Sequence, residues 1–250
     1  MRESDSNGRA DVDPLRVGIV GGSFIGTTVG AGFRDHSEAR IIGLVDIDEP
    51  PLHEAGSELG VAPAGRYTDY ETMLVAEPTL DAVLIGTPHT LHYDQILDAF
   101  DAGLHVLCDK PLTTDLEQAK RLVELDRQRE QTLMVGYQRH LDPSFIKARE
   151  LWATEGREPR WITADVCQEW VEPFSDTWRQ KPTLSGGGYL YDTGSHLLGR
   201  VLWATRLTPE TVSATMILSI PTSMSTVVVL LRFGSRTATF SFSGEVSCCD

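Results

Sequence analysis

The chain has 250 residues, of which 41% are hydrophobic and 23% charged, the proportions of a globular protein with room for one large domain or two ordinary ones. A net charge of −14 argues against nucleic-acid or anionic-membrane partners. No apolar run approaches roughly eighteen residues, so no membrane partner is expected. The four cysteines, Cys108, Cys167, Cys248 and Cys249, show neither CxxC spacing nor a disulfide framework; this predicts reduced thiols and a cytoplasmic location.

Residues 1–13 are polar and charged and read as a flexible tail without a signal-peptide core. A strand over 16–20 runs into a glycine turn at 21–26, followed by a helix to about Arg34. A second buried strand covers 40–46. Asp48 and Pro50 open a helix that Gly60 can close. The sequence Thr68-Asp-Tyr-Glu71 is a capping-box pattern opening a short helix before Pro78. A strand at 81–86, a helix over 90–102 and a strand at 105–108 follow. A second capping-box pattern, Thr114-Asp-Leu-Glu117, opens a helix to about Glu130, and the last strand of the series is 132–136. Strands alternating with helices predict βαβ units and a doubly wound parallel sheet.

Several strand ends carry chemistry. Glycines between a strand and a helix let backbone N–H groups approach a pyrophosphate, which makes Gly21, Gly22, Ser23, Phe24, Ile25 and Gly26 candidate dinucleotide contacts. Ser23 stands where G-x-G-x-x-G has its second glycine, and its Cβ limits close approach. Asp46, at the end of the second strand, suits the adenosine ribose hydroxyls and repels a 2′-phosphate. This favours NAD over NADP. Thr87 and Pro88 end another strand. His89 and His92, three apart, are able to share a helix face, but no further ligand stands at metal-binding spacing, so no metal is expected. The run 105–108 stops at Asp109, Lys110 and Pro111, because proline cannot continue a ladder. Lys110 alone reads as a surface charge. At the carboxyl end of such a strand it also stands where open α/β sheets bind ligands.

After Gln138 the rhythm changes. A helix is expected over 143–152, and strands over 160–168, 211–220, 226–233 and 237–242, closely spaced and β-branched, the pattern of an α+β unit. Within it lie Trp178, Arg179 and the run 184–196, with three successive glycines, Tyr189, Tyr191, Asp192 and His196. Asp192 and His196 are four apart. If the run is helical they share a face one turn apart, and the carboxylate can orient an imidazole. Read alone, such a pair is more often an ordinary one.

Together these pieces resemble the Gfo/Idh/MocA oxidoreductase family, which includes glucose–fructose oxidoreductase and inositol dehydrogenase. The glycine turn and Asp46 resemble its cofactor fingerprint. Gly86-Thr-Pro with His92 is similar to its Thr-Pro-Asn-x-x-His segment, His89 replacing the asparagine. Cys108-Asp-Lys-Pro111 is similar to its Glu-Lys-Pro motif, residues 135–143 to the segment leaving the nucleotide domain, and residues 186–196 to its Gly-Gly-Gly…Asp-x-x-x-His signature.

The resemblance implies an α/β protein with a Rossmann doubly wound parallel sheet over 14–138. A substrate-binding α+β domain with a largely antiparallel or mixed sheet follows over 139–250. The implied activity is NAD(P)-dependent transfer of hydride between the nicotinamide and a sugar, inositol or related polyol hydroxyl. Lys110, Asp192 and His196 form the implied catalytic set: His196 as base, Asp192 orienting it, and Lys110 on the substrate oxygen. The implied cofactor contacts are residues 21–26, Asp46, Thr87, Pro88, His89, His92, Asp109 and Lys110. Arg139, Trp178, Arg179, Tyr189 and Tyr191 are candidate polyol contacts, as are His140 and Trp170. The resemblance also implies a homo-oligomer and several further strands, whereas the sequence stops at Asp250: either it is a fragment, or a shortened protein leaves a sheet edge uncovered, and the early stop argues against the homo-oligomer here. That ending and Ser23 keep open a catalytically silent dinucleotide sensor or an inactive truncated product.

Overall fold

A computed structural model describes residues 13–155, 159–217 and 226–244. The tail over 1–12, residues 218–220 and Cys248 and Cys249 lie outside the described residues. The chain falls into two compact units, one of residues 13–87, 94–108 and 129–134, the other of 88–93, 109–128 and 135–244. The second unit thus takes two segments that precede residue 138.

In chain order the first sheet and its helices are β1 (Leu15–Val20), α1 (Phe24–Arg34), β2 (Ala39–Val45), α2 (Glu49–Glu58), β3 (Arg66–Tyr67), α3 (Tyr70–Ala76), β4 (Ala82–Ile85), α4 (His92–Asp101), β5 (His105–Cys108), α5 (Leu116–Gln128) and β6 (Leu133–Val135). The strand order is β3-β2-β1-β4-β5-β6. The pairings of β1 with β2 and β4, of β2 with β3 and of β4 with β5 are parallel. This is the doubly wound topology that the alternating pattern predicted, with its order reversing beside β1. Ile19, Leu44 and Leu84 pack with Leu52, Ala55, Leu59 and Val61 into a buried cluster that joins α2 to the sheet. Arg16 holds the other end of β1 to Asp81 at the start of β4, through contacts of 2.7 and 2.8 Å.

Both helices expected to open with a threonine-led capping box begin one residue later. Asp69 Oδ1 accepts the Thr72 N–H at 2.7 Å, and Asp115 Oδ1 accepts the Gln118 N–H at 2.9 Å. An aspartate offers a short acceptor and a negative charge, both favoured at a helix N-terminus, and so displaces the neighbouring threonine. A single 3₁₀ turn, His89–Leu91, precedes α4.

The second unit also contains α6 (Pro143–Glu155), β7 (Trp161–Cys167), α7 (Pro182–Ser185), α8 (Ser195–Thr205), β8 (Thr211–Ile217), β9 (Thr226–Phe233) and β10 (Arg236–Ser243). Its sheet has the order β7-β10-β9-β8. β10 pairs antiparallel with β9 but parallel with β7, so the sheet is mixed. Period-two alternation puts Val227, Val229, Leu231 and Phe233 of β9 on the same buried face as Ala238, Phe240 and Phe242 of β10. Trp170, Tyr189 and Leu197 close over that face. A wide π-helical turn, Leu190–Gly194, runs directly into α8.

Candidate functional site

In the first unit the turn between β1 and α1 is built around two glycines. Gly21 has φ +100°, a conformation that disfavours any side chain, and a Cβ there would lie 2.9 Å from the Gly86 carbonyl oxygen. A Cβ at Gly26 would overlap the Gly21 carbonyl oxygen. Ser23 has φ −81°, which any residue adopts, so this position does not require glycine. Its side chain is exposed and makes no capping hydrogen bond, and Phe24 beside it is 69% exposed. The first N–H groups of α1 have no intrahelical acceptor, which is the arrangement that receives phosphate oxygens.

Asp46 follows β2 and ties this turn to it. Its Oδ2 accepts the Gly22 N–H at 2.8 Å, and its Oδ1 accepts the Asp48 N–H at 3.0 Å. The carboxylate is therefore oriented before any ligand arrives. A carboxylate oxygen accepts more than one hydrogen bond, so ribose hydroxyls remain within its capacity. Thr87, after β4, donates its hydroxyl to Gln95 Oε1 at 2.5 Å. These features fit a dinucleotide: a turn too tight for side chains, open N–H groups and an acid fixed beside them.

The second unit gathers the other candidates. Lys110 is 6% exposed, and its Nζ donates to the Asp192 main-chain oxygen at 2.7 Å and to Asp192 Oδ1 at 2.6 Å. Asp192 Oδ2 accepts the Trp170 indole N–H at 2.8 Å, with Arg179 Nε 3.4 Å away. Burial works to raise the Asp192 pKa. The Lys110 charge and hydrogen bond, the indole and Arg179 outweigh it and hold the carboxyl at about 2. Burial pushes the neighbouring Asp109 carboxyl up, partly opposed by Lys110.

His196 does not pair with Asp192. Its Nδ1 is buried and has no hydrogen-bond partner among the described residues. Asp192 lies in the π-helical turn, whose wider spacing breaks the i, i+4 stacking expected of a regular helix, and its oxygens are already engaged. The carboxylate therefore holds the lysine and not the imidazole. Burial, with the positive charges of Lys110 and Arg139, lowers the His196 pKa to about 4, so the ring is neutral at neutral pH. The Tyr137 ring meets it edge-on at 5.9 Å.

His89 and His92 lie with ring centroids 5.9 Å apart. His92 Nδ1 is 2.9 Å from the Pro111 carbonyl oxygen and His89 Nδ1 2.9 Å from that of Ser185. A carbonyl only accepts, so both Nδ1 atoms carry the proton. Burial lowers the His89 pKa to about 3. Among the described residues no group of three potential metal ligands occurs.

The aromatic candidates divide. Trp178 packs edge-on against His89 at 4.8 Å, and Arg179 lies over the Trp178 and Phe174 rings. Tyr191 is half-buried and Arg139 exposed. Tyr189 and Trp170 are fully buried in the core under the second sheet, so they pack rather than line an open surface. His140 stacks between Tyr137 and Trp203, at 5.6 and 5.2 Å. Sequence reasoning missed the Trp170–Asp192 bond, because 22 residues separate the partners and no spacing links them.

Comparison with known proteins gives this arrangement its class. Residues 15–137 match the oxidoreductase family with an NAD-binding Rossmann fold, and residues 147–248 match the GFO/IDH/MocA C-terminal domain. The protein belongs to the Gfo/Idh/MocA oxidoreductase family. It is 36% identical over 141 residues to inositol 2-dehydrogenase of Corynebacterium glutamicum strain R, covering 55% of this chain and 40% of the relative. It is 32% identical over 204 residues to D-xylose 1-dehydrogenase (NADP(+)) 2 of Haloferax volcanii, covering 80% and 60%. The solved inositol dehydrogenase homolog from Azotobacter vinelandii, complexed with NAD+, is similar with a TM-score of 0.83 and 25% identity, over 93% of this chain and 65% of that one. The chain thus spans between 40% and 60% of the length of these two curated relatives.

Proposed function

We propose that the protein is an NAD-dependent oxidoreductase acting on a hydroxyl of a sugar, inositol or related polyol. The observation that carries this reading is the Lys110–Asp192 ion pair in the same unit as a neutral His196 whose buried Nδ1 has no hydrogen-bond partner among the described residues. Alcohol oxidation requires a group that accepts the hydroxyl proton and another that stabilises charge developing on that oxygen. Neutral His196 supplies the first. Lys110 supplies the second, because its ammonium has three N–H groups and Asp192 occupies two. Asp192 holds the lysine in place and balances its charge. Bound NAD+ supplies the hydride acceptor.

The turn over 21–26 and Asp46 are the residues assigned to the dinucleotide, with Thr87, Pro88, His89, His92 and Asp109 as further contacts. Ser23 presents no strain that excludes this. Asp46 favours NAD, whereas the Haloferax relative is named for NADP(+), so both cofactors belong in the test. Arg139, Trp178, Arg179 and Tyr191 are assigned to polyol hydroxyls. The cysteine usage supports a reducing, cytoplasmic setting. Among the described residues no helix is long and apolar enough to cross a membrane.

The test is a fluorescence titration with NADH and NADPH, followed by turnover assays on myo-inositol, D-xylose and related polyols. Tighter binding of NADH with turnover of at least one polyol is expected. Binding without turnover of any polyol or sugar would replace the enzyme with a dinucleotide sensor, and no binding would sink both.

A further inference from the structure

Asp192 has a partner that the proton and charge chemistry does not use. The Trp170 indole N–H donates to Oδ2 at 2.8 Å while Lys110 holds Oδ1 at 2.6 Å. Arg179 Nε stands 3.4 Å from the same Oδ2, but it makes no hydrogen bond there. The indole is a donor only, and its direction is fixed because the ring cannot turn. Trp170 is wholly buried, packs against Tyr189 and Phe174 at 5.7 and 5.9 Å, and donates its main-chain N–H to the Gly244 oxygen at 3.0 Å. Asp192, by contrast, sits in a π-helical turn, a rare backbone form found disproportionately at functional sites.

We propose that Trp170 is the positioning residue of Asp192, locking its carboxylate so that Oδ1 and the main-chain oxygen stay on Lys110 and aim the remaining ammonium N–H. Without the indole N–H, Oδ2 is free to swing to Arg179, which draws Oδ1 away from Lys110. This inference rests on the reading of Lys110, Asp192 and His196 as the reacting set.

Trp170→Phe removes the N–H and leaves an aromatic ring in the core. Its kcat should fall on the order of tenfold to a hundredfold, the range for a lost hydrogen bond to a charged group, with KM for the polyol and affinity for NADH within about twofold. Phe240→Leu, in the same core cluster, serves as the packing control: its melting temperature should drop and its kcat should not. A Trp170→Phe enzyme with wild-type kcat would overturn the proposal, as would an equal loss of kcat in the control. A second measurement needs no turnover. The Trp170 indole N–H resonance, identified by its disappearance in Trp170→Phe, should move upfield in Asp192→Asn, and an unmoved signal would refute the contact. Failure of the wild-type protein to oxidise any polyol would instead sink the reading of the site, leaving the inference to be judged by that resonance.

Discussion

Lys110 Nζ holds Asp192 twice, through the main-chain oxygen at 2.7 Å and Oδ1 at 2.6 Å. One ammonium thereby joins the segment after β5 to the π-helical turn before α8. Two of its three protons are spent, and its position is over-determined. Removing one member of a buried pair costs about 3–5 kcal/mol, because the other is left charged and uncompensated. Asp192 keeps the indole and Arg179, so Lys110→Met should lose about 3 kcal/mol in denaturant unfolding at neutral pH. Its turnover should fall on the order of 100-fold or more while NADH affinity stays within about threefold. Wild-type turnover in this variant would remove Lys110 from the reaction.

The same pair makes stability depend on pH at the acid end. The Asp192 carboxyl at about 2 lies below its ordinary 3.8, so between these values the unfolded chain binds more protons than the folded one. This stabilisation, about 2 kcal/mol, is complete above the unfolded value and disappears as pH falls through the folded one. Urea unfolding at pH 5 and pH 3 should therefore show a smaller loss in Asp192→Asn than in the wild type. Identical losses would mean that the carboxyl is not held by its partners.

Two imidazoles, His89 buried and His196 half-buried, act over a higher window. His89 and His196 have pKa values lowered to about 3 and 4 from 6.5, so protons favour the unfolded chain as soon as pH drops below that unfolded value. Stability should decline steadily from pH 7 to pH 4. The His196→Gln variant should flatten this slope, as read from melting temperatures at half-unit steps. A slope unchanged in that variant would place the dependence on other groups.

The strand–helix alternation, the parallel doubly wound class of the first sheet and the end of β5 at Cys108, just before Asp109, Lys110 and Pro111, were legible because each follows from local rules: periodicity, proline chemistry and glycine turns. The mixed sheet of the second unit was legible only as a class, since the parallel pairing of β7 with β10 joins segments 75 residues or more apart. The capping boxes were read one residue early, because Asp69 and Asp115 compete with threonines for the same role. The Asp192–His196 couple failed for a deeper reason. The i, i+4 rule assumes a regular helix, and Asp192 sits in a π-helical turn whose carboxylate partners, Lys110, Trp170 and Arg179, come from elsewhere in the chain. Tyr189 looked like a site aromatic beside Tyr191, yet it precedes the turn and packs in the core, while Tyr191 within the turn is only half-buried.

The glycine turn separates two substitutions that look alike on paper. At Gly26 a methyl group meets the Gly21 carbonyl, so Gly26→Ala should displace the start of α1, lower stability and abolish NADH binding. Ser23→Gly should do neither. Position 23 has an ordinary φ, and glycine in place of serine at a helix N-cap costs only a few tenths of a kcal/mol. NADH affinity should stay within about threefold. A large gain on Ser23→Gly would show that the serine Cβ keeps the phosphates away.

Asp46 offers the sharpest test of cofactor choice. Its carboxylate orients the turn through Gly22 and the start of α2 through Asp48, so its loss has a structural and an electrostatic part. Asp46→Asn keeps one amide oxygen for the Gly22 N–H and removes the charge that repels a 2′-phosphate. The turn should persist, as judged by an unchanged melting temperature within a few degrees. NADH should bind more weakly, on the order of tenfold, and NADPH more tightly, so that the preference narrows or inverts. If NADH and NADPH affinities both fall together with the melting temperature, Asp46 serves the turn alone. If neither affinity moves, the ribose lies elsewhere.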